Sequence, residues 1–298
     1  MKVLVVGSTG FIGSHIMDYL CRHTKNDINI VATTRDLNKV KKFSWFNDNK
    51  VNTIEFNITQ TSSDVYDRLQ KPDIMIHLAW DGLPDYKNIN HIEQNLFENY
   101  FFLKDMITGG LKDLTVAGTC FEYGIKNGQL YEDTETNPIT PYAVAKDSLR
   151  RFLRELQKIK NFDLKWLRLF YAYGKGQSSQ SLLSQLDAAV KNNEKVFNMS
   201  GGEQLRDYLP VEKLSEYIVT TAFQNKITGI INCCSGKPIS IRNLAENYIK
   251  KKDADIKLNF GYYPYPDYEP MAFWGDNSKL LQIINNYNLK RPRYYEWR

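Results

Sequence analysis

Short apolar segments alternate with amphipathic helical segments through the first half of the chain, and this alternation restricts the possible folds more than any other feature. Regular strand–helix alternation implies a parallel sheet with helices on both faces, the α/β class. The predicted segments, in chain order, are strand 3–6, helix 11–21, strands 28–33, 51–56 and 74–79, helix 91–107, strand 114–117, helix 142–159 and strand 164–170.

Three glycines, Gly7, Gly10 and Gly13, lie between the first predicted strand and the first helix, in the segment VLVVGSTGFIGSH. Glycine permits a tight turn and lets backbone amides approach a pyrophosphate, which then lies at the positive end of the helix. At the first strand–helix junction of an alternating chain, this pattern predicts dinucleotide binding by a doubly wound Rossmann sheet. A plain glycine turn without a ligand is the alternative.

The end of the second predicted strand bears on the choice of dinucleotide. Chains that bind NAD usually place an acid about 20 residues after the glycines, where it binds the ribose 2′-hydroxyl. Thr34 occupies that place here and Arg35 follows it, and a guanidinium suits a 2′-phosphate. We therefore expect NADP(H) rather than NAD, unless the strand ends later and Asp36 supplies the acid.

The pattern loosens after residue 170, which suggests a second, smaller lobe. We expect an NADP-binding Rossmann domain over residues 1–170, completed by a strand that returns near 210–240. The returning strand is predicted at 230–233 and a short helix at 277–284. Residues 171–209 and 241–298 are then expected to form a C-terminal substrate-binding lobe.

Composition excludes several kinds of partner. The 39 basic and 34 acidic residues give a net charge of +5 and are mixed along the chain, without the basic stripe that nucleic acid needs. No apolar run approaches the roughly 20 residues of a membrane span, and the first strand meets glycine too early for a signal peptide. The cysteines and histidines show no ligand-like spacing. We expect a cytoplasmic protein with neither a membrane segment nor a metal.

Tyr142 precedes Lys146 by four residues in a predicted helix that begins after Pro141. This spacing places both side chains on one helical face. A free phenol has a pKa of roughly 10. A nearby ammonium and the positive nicotinamide ring favour the phenolate and lower that pKa. Such a tyrosine could exchange protons with an alcohol near neutral pH. The alternative is an ordinary amphipathic helix, because this spacing is common by chance.

Several motifs occur together in the order and spacing of one family. They are GSTGFIG at 7–13, HLAW at 77–80, Asn95, GTCFEYG at 118–124, the Tyr142/Lys146 pair and LRLFYAYGKGQ at 167–177. From residue 1 to about 285 the chain resembles the extended short-chain dehydrogenase/reductases, specifically the nucleotide-sugar epimerases, dehydratases and reductases.

The resemblance implies roles for individual residues. In that family the serine or threonine four residues before a Tyr-Gly pair is the third catalytic residue, so the implied catalytic set is Thr119, Tyr142 and Lys146. The implied cofactor-binding residues are Gly7, Thr9, Gly10, Phe11, Ile12, Gly13, Thr34, Arg35, Asn57, Ile58, Leu78, Ala79, Trp80, Asn95, Tyr142, Lys146 and Phe170. The implied substrate-binding residues are Cys120, Phe121, Tyr171, Gln177 and Arg206.

Arg206 is expected to hold the substrate diphosphate, because GEQLRDYLPVEKL at 202–214 resembles the family segment whose arginine does so. The alternative is a surface Arg206–Asp207 element without a ligand. The chain also departs from the family. Tyr171 stands where many relatives have asparagine, and the tail YPYPDYEP at 263–270 stands where they have a second arginine.

The residues after Thr119 bear on the reaction. Dehydratases of the family have Asp-Glu there, whereas this chain has Cys120-Phe121, so a 4,6-dehydratase is not expected. A cysteine at this place resembles the GDP-fucose-forming epimerase-reductases, but their second proton carrier, a histidine, has no counterpart after His91. Cys120 is therefore expected to line the pocket.

What remains is carbonyl chemistry at C4 of the sugar. The segments GTCFEYG and LRLFYAYGKGQ are similar in sequence to those of the 4-reductases that make dTDP-fucose or CDP-abequose for surface polysaccharide such as O-antigen. The resemblance thus implies NADPH-dependent reduction of a nucleotide-linked 4-keto-6-deoxy sugar. Two alternatives stay open, a 4-epimerase with tightly bound NAD and a non-enzymatic NADP-sensing regulator. The resemblance also implies a homodimer formed by helices 91–107 and 142–159.

Overall fold

The structure, a computed structural model, describes residues 1–24 and 27–288. The strands in these residues are β1 (Lys2–Val6), β2 (Asn29–Thr34), β3 (Val51–Glu55), β4 (Ile74–His77), β5 (Asp113–Thr119), β6 (Gly128–Leu130), β7 (Asp163–Leu169), β8 (Tyr171–Tyr173), β9 (Val196–Asn198), β10 (Leu205–Pro210), β11 (Gly229–Cys233), β12 (Pro238–Ser240), β13 (Lys257–Asn259) and β14 (Phe273–Gly275). The α-helices are α1 (Phe11–His23), α2 (Leu37–Val40), α3 (Val65–Arg68), α4 (Leu96–Gly109), α5 (Pro141–Gln157), α6 (Leu182–Lys191), α7 (Val211–Ala222), α8 (Ile241–Lys252) and α9 (Ser278–Asn288).

Seven parallel strands form the main sheet, in the order β11-β7-β5-β4-β1-β2-β3. The chain runs outward from β1 to β3 and then returns to β4 on the other side of β1. This arrangement is a Rossmann-like doubly wound α/β fold, as predicted. The strand predicted at 230–233 does return to this sheet, because β11 pairs with β7 in parallel.

The first strand shows why its sequence is continuously apolar. Val3 and Val5 belong to one hydrophobic cluster, and Leu4 and Val6 to another on the opposite face. Helices α1, α7 and α9 contribute to the first cluster, whereas α4 and α5 contribute to the second. A strand buried on both faces has no solvent-exposed face, so the alternation of polar and apolar residues disappears.

Smaller elements follow β7. Strands β12, β10 and β8 form a three-stranded sheet, and β13-β9 and β14-β6 form two pairs. Helices α6 and α8 and strand β9 contribute to a third apolar cluster, which includes Leu186, Phe197 and Ala245. The predicted boundaries between a nucleotide-binding domain and a substrate-binding lobe stay a prediction.

Two differences from the predicted elements concern helices. The segment predicted as one helix over 91–107 begins with a π-helical turn, His91–Asn95, and only then continues as α4. Helices α6, α7 and α8 lie where no helix was predicted, because short amphipathic helices between loops give a weak periodic signal. Within the described part of the chain, the helices are all too short or too polar to cross a membrane.

Candidate active site

Two adjoining cavities open at the carboxyl ends of the central strands. One has a volume of about 310 Å³ and the other about 900 Å³. Gly7, Gly10, Leu78 and Trp80 line both, so the cavities meet at the ends of β1 and β4. The strand order reverses between these two strands, and doubly wound sheets bind their ligands at such a point.

The glycine turn between β1 and α1 explains the three-glycine motif. Gly7 has φ +89°, and a Cβ added there would lie 2.9 Å from the amide nitrogen of Ala79. A Cβ on Gly13 would lie 2.0 Å from the carbonyl oxygen of Gly7. Side chains are thus excluded at Gly7 and Gly13, and no side chain caps the N-terminus of α1. The residues fit the pyrophosphate of a dinucleotide.

The smaller cavity collects the predicted residues of the adenosine side. Its walls include Gly7, Thr9, Gly10, Thr34, Arg35, Asn57, Ile58, Leu78, Ala79, Trp80 and Asn95. Asp81 and Glu98, which were not predicted, also line it. Asp36 does not, because its carboxylate caps α2 and accepts a hydrogen bond from the amide of Asn38 at 2.8 Å.

The larger cavity collects almost all the remaining predicted residues. Its walls include Phe11, Ile12, Gly13, Thr119, Cys120, Phe121, Tyr142, Lys146, Phe170, Tyr171 and Gln177. Arg206 is the one predicted site residue that lines neither cavity. Lys146 and Glu269 are the charged residues among those that line the larger cavity.

Thr119, Tyr142 and Lys146 lie together in the wall of the larger cavity. Thr119 ends β5, and α5 begins at Pro141, capped by the hydroxyl of Thr140, so Tyr142 and Lys146 share its first turns. The Lys146 ammonium lies 3.9 Å from the centre of the Trp80 ring and donates to the carbonyl oxygen of Ala117 at 2.9 Å.

Burial dominates the proton affinities of this group and acts against the lowered Tyr142 pKa that the sequence suggested. Burial raises the pKa of the Tyr142 phenol, and the hydrogen-bonding interaction with Thr119 lowers it only in part. Burial lowers the pKa of Lys146 to about 7, although Glu122 acts in the other direction. The neutral phenol is therefore the favoured form of Tyr142, because loss of solvent contact penalises the charged phenolate.

Glu122 fixes the end of β5 from behind. It is fully buried, and one carboxylate oxygen accepts hydrogen bonds from the amide of Thr119 and from Nε1 of Trp166, each at 2.9 Å. The other oxygen accepts from Nε of Arg168 at 2.8 Å. Glu122 does not line the cavity. It therefore holds the backbone that carries Thr119 in place.

Cys120 is a buried, uncharged part of the cavity wall. Burial and the nearby Glu269 carboxylate raise the pKa of its thiol. It belongs to an apolar cluster with Tyr123, Phe170 and Cys234. A thiol that stays protonated far above neutral pH is a poor proton acceptor.

The geometry does not place Arg206 as the sequence predicted. Its side chain is 1% exposed, and Nε and Nη2 donate to Glu269 at 3.1 and 2.8 Å. Asp207 is also buried, where it accepts from the amides of Ser235 and Gly236, so the alternative of a surface element is wrong as well. The carboxylate of Glu269 satisfies the guanidinium from the cavity side.

Sequence reasoning missed four tyrosines and three acids of the cavity walls, namely Tyr86, Tyr173, Tyr208, Tyr268, Asp81, Glu98 and Glu269. The backbone oxygen of Tyr86 accepts a hydrogen bond from the amide of Tyr142 at 3.2 Å, and the two rings lie 5.4 Å apart. The tail segment 263–270, where an expected arginine is replaced, was the one available signal for Glu269.

Comparison with known proteins agrees with this geometry. The model of the NAD dependent epimerase/dehydratase family matches residues 3–234. The chain belongs to this family.

Individual relatives extend over nearly the whole chain. The chain is 29% identical over 276 residues to a dTDP-6-deoxy-L-talose 4-dehydrogenase (NAD(+)) of Aggregatibacter actinomycetemcomitans, covering 92% of this chain and 99% of the relative. It is 23% identical over 294 residues to a GDP-6-deoxy-D-talose 4-dehydrogenase of the same organism, covering 96% of this chain and 92% of the relative. Among solved structures, the chain is similar to a UDP-N-acetylglucosamine 4-epimerase from Methanobrevibacter ruminantium M1, in complex with UDP-N-acetylmuramic acid, with a TM-score of 0.83. The two sequences are 24% identical, and the match covers 95% of this chain and 91% of the other.

Proposed function

We propose that this protein is a nicotinamide-dinucleotide-dependent oxidoreductase that reduces the C4 ketone of a nucleotide-linked 4-keto-6-deoxy sugar. The observation that carries the proposal is the grouping of Thr119, Tyr142 and Lys146 in one wall, next to the glycine turn of α1. Proton transfer to a carbonyl oxygen needs these groups side by side.

The dinucleotide would extend through both cavities. The amides at the start of α1 would bind its pyrophosphate, the residues of the smaller cavity its adenosine half, and Lys146 its nicotinamide ribose. Bound there, the reduced cofactor supplies hydride to C4. We propose NAD(H) as the cofactor, where the sequence alone favoured NADP(H). Support comes from the printed name of the relative at 29% identity, an NAD(+) enzyme, and from the pairing of Arg35 with Asp81.

Tyr142 would protonate the oxygen that forms at C4. Its raised pKa keeps the phenol protonated at neutral pH, which is the form that a proton donor needs. The Thr119 hydroxyl would donate to the same oxygen and hold the carbonyl before transfer. Lys146, whose pKa of about 7 lets it gain or lose a proton near neutrality, would return the proton to Tyr142.

The nucleotide diphosphate would bind away from Arg206. Gln180, Ser181, Leu182 and Leu183, at the N-terminus of α6, line the larger cavity. The free amides of a helix N-terminus bind phosphate oxygens. Because Glu269 blocks Arg206 from the cavity side, we assign the diphosphate to this turn of α6.

The named activities of two relatives support C4 as the reacting carbon. Both are 4-dehydrogenases of a 6-deoxytalose nucleotide. A 4-dehydrogenase and a 4-ketoreductase catalyse the two directions of one reaction, so these names and our proposal describe the same chemistry. The narrower likeness to dTDP-fucose or CDP-abequose enzymes, the use of the product in surface polysaccharide and a cytoplasmic location remain parts of the proposal.

A 4-epimerase is the second candidate. The acidic residues around the smaller cavity favour NAD, and an epimerase of this family retains NAD and returns the hydride to the same carbon. The dehydratase is not proposed, because Cys120 and Phe121 offer neither of the required acid–base groups and Glu269 is tied to Arg206.

The deciding experiment follows NADH and NADPH consumption against a panel of nucleotide-linked 4-keto-6-deoxy sugars. A reductase oxidises one cofactor per sugar reduced, whereas an epimerase interconverts C4 epimers without net cofactor change. Tyr142→Phe should lower kcat by about 10²- to 10⁴-fold. Tyr131→Phe, at an exposed site outside both cavities, is the matched control. Full activity of Tyr142→Phe, or cofactor binding without turnover of any sugar, would refute the proposal.

We also propose that the protein forms a homodimer through α4 and α5. Phe97 and Phe101 on α4 and Phe152 on α5 are exposed, although the helices that carry them are otherwise packed on the sheet. Exposed aromatic side chains on neighbouring helices are typical of an interface. Light scattering should give about twice the chain mass, and Phe101→Glu should give a monomer; a monomeric parent protein would contradict the dimer.

A further inference from the structure

The residues around Arg35 bear on how the protein distinguishes two dinucleotides that differ only in a 2′-phosphate. Thr34 and Arg35 follow the predicted pattern for NADP(H), yet the Thr34 hydroxyl is occupied locally. It donates to the backbone oxygen of Asp36 at 3.0 Å and accepts from its amide at 3.1 Å. The guanidinium of Arg35 is thus the remaining group that could recognise the phosphate at this place.

Arg35 is matched by a carboxylate from another strand end. Its Nη1 donates to Oδ2 of Asp81 at 2.7 Å, and both residues line the smaller cavity. Asp81 follows β4, and its backbone oxygen accepts from Nδ2 of the buried Asn95 at 2.9 Å. The backbone of Asp81 is therefore fixed independently of the ion pair, which keeps the carboxylate near Arg35.

A second acid adds negative charge to the wall of the smaller cavity. Glu98 lines the same cavity, and the charged residues in its wall are Arg35, Asp81 and Glu98, one positive and two negative. A 2′-phosphate brings about −1.5 to −2 charges into this surrounding near neutral pH, whereas the 2′-hydroxyl of NAD brings none. The Coulomb term therefore favours NAD(H), although Arg35 is present.

We propose that Asp81, assisted by Glu98, determines the cofactor preference by neutralising Arg35 and repelling a 2′-phosphate. This inference rests on the proposed function, because it assigns the choice of dinucleotide at the same site. Asp81 is a specificity-determining residue in this proposal and takes no part in the reaction at C4.

The test measures binding of NADH and NADPH to the full chain by energy transfer from tryptophan to the reduced nicotinamide, without sugar. The parent protein should bind NADH more tightly. Asp81→Asn should shift the ratio of the two dissociation constants toward NADPH by about five- to tenfold, and Glu98→Gln should shift it less. The Asp81→Asn effect should shrink as salt is raised, because the groups are exposed.

Glu93→Gln is the matched control, since it removes one exposed acid from the π-helical turn that leads into α4, outside the smaller cavity. It should leave the ratio unchanged. An unchanged ratio in Asp81→Asn with both dinucleotides still bound, or tighter binding of NADPH by the parent, would overturn this inference alone. Absence of binding by either dinucleotide would refute the proposed function and this inference together.

Discussion

The larger cavity has one buried cation in its wall, Lys146, and a second, Arg206, that is paired with the lining residue Glu269, and the two are held in different ways. Lys146 has no carboxylate of the described residues within ion-pair distance, and it rests on the Trp80 ring and the backbone oxygen of Ala117. Arg206, in contrast, is paired with Glu269 and stacks 4.8 Å from the centre of the Phe273 ring.

This difference separates a cation that can titrate near neutral pH from one that stays charged. Burial lowers the pKa of Lys146 to about 7. Burial also lowers the pKa of Arg206, but Tyr171 and Glu269 more than offset it and the net shift is upward. A buried cation without a counter-ion can change its charge at neutral pH, whereas a paired one keeps it.

The largest expected effect comes from removing the Lys146 ammonium. Lys146→Met should lower kcat by about 10²- to 10⁴-fold, because proton return to Tyr142 and the contact to the nicotinamide ribose are both lost. Steady-state kinetics at saturating cofactor measures it. Lys158→Met, at an exposed site beyond the end of α5, serves as the control. Retention of kcat within tenfold would show that Lys146 is as structural as Arg206.

Breaking the Arg206–Glu269 ion pair should mainly lower the stability of the protein. Arg206→Met leaves Glu269 half-enclosed without its partner and should lower the free energy of unfolding by about 3–5 kcal/mol. The double variant Arg206→Met/Glu269→Gln should recover most of that loss, because no charge is left unpaired. Urea unfolding of the parent, both single variants and the double variant gives the coupling. A double variant as unstable as Arg206→Met would contradict the pairing.

The Lys146 pKa predicts a distinct pH dependence of stability. Its folded-state pKa of about 7 lies below the ordinary value of 10.5 for an exposed lysine. Between these values the unfolded chain binds more protons, so stability should rise with pH, on the order of 3 kcal/mol from pH 7 to pH 10. Lys146→Met should lack this rise. Urea unfolding at both pH values tests it, and equal slopes for the two proteins would contradict the assignment.

The smallest effect is expected at Cys120, a buried residue that lines the larger cavity. Cys120→Ala should cost about 1 kcal/mol of stability through the small void it leaves and should change kcat only slightly. A thiol with a raised pKa keeps its proton at neutral pH and does not form the thiolate that would accept one. If kcat fell as far as in Tyr142→Phe, Cys120 would be an acid–base group after all.

Features fixed by near neighbours in the sequence were predictable. The turn at Gly7 depends on atoms within a few residues and on the adjoining strand end. The spacing of Tyr142 and Lys146 is one helical turn, so a shared face follows from the helix alone. The doubly wound parallel sheet followed from the regular alternation of strands with helices, which permits few topologies.

Features that join distant segments of the chain were not predictable from the sequence. Arg206 and Glu269 are 63 residues apart and Arg35 and Asp81 are 46 residues apart, and each pairing changes the role of an arginine that a local motif had suggested. The sequence by itself determined the sheet, the glycine turn and the chemical groups available to the site. Tertiary structure decided which charges are neutralised and which are buried alone, because desolvation and ion pairing depend on everything that packs around a group rather than on its neighbours in the chain.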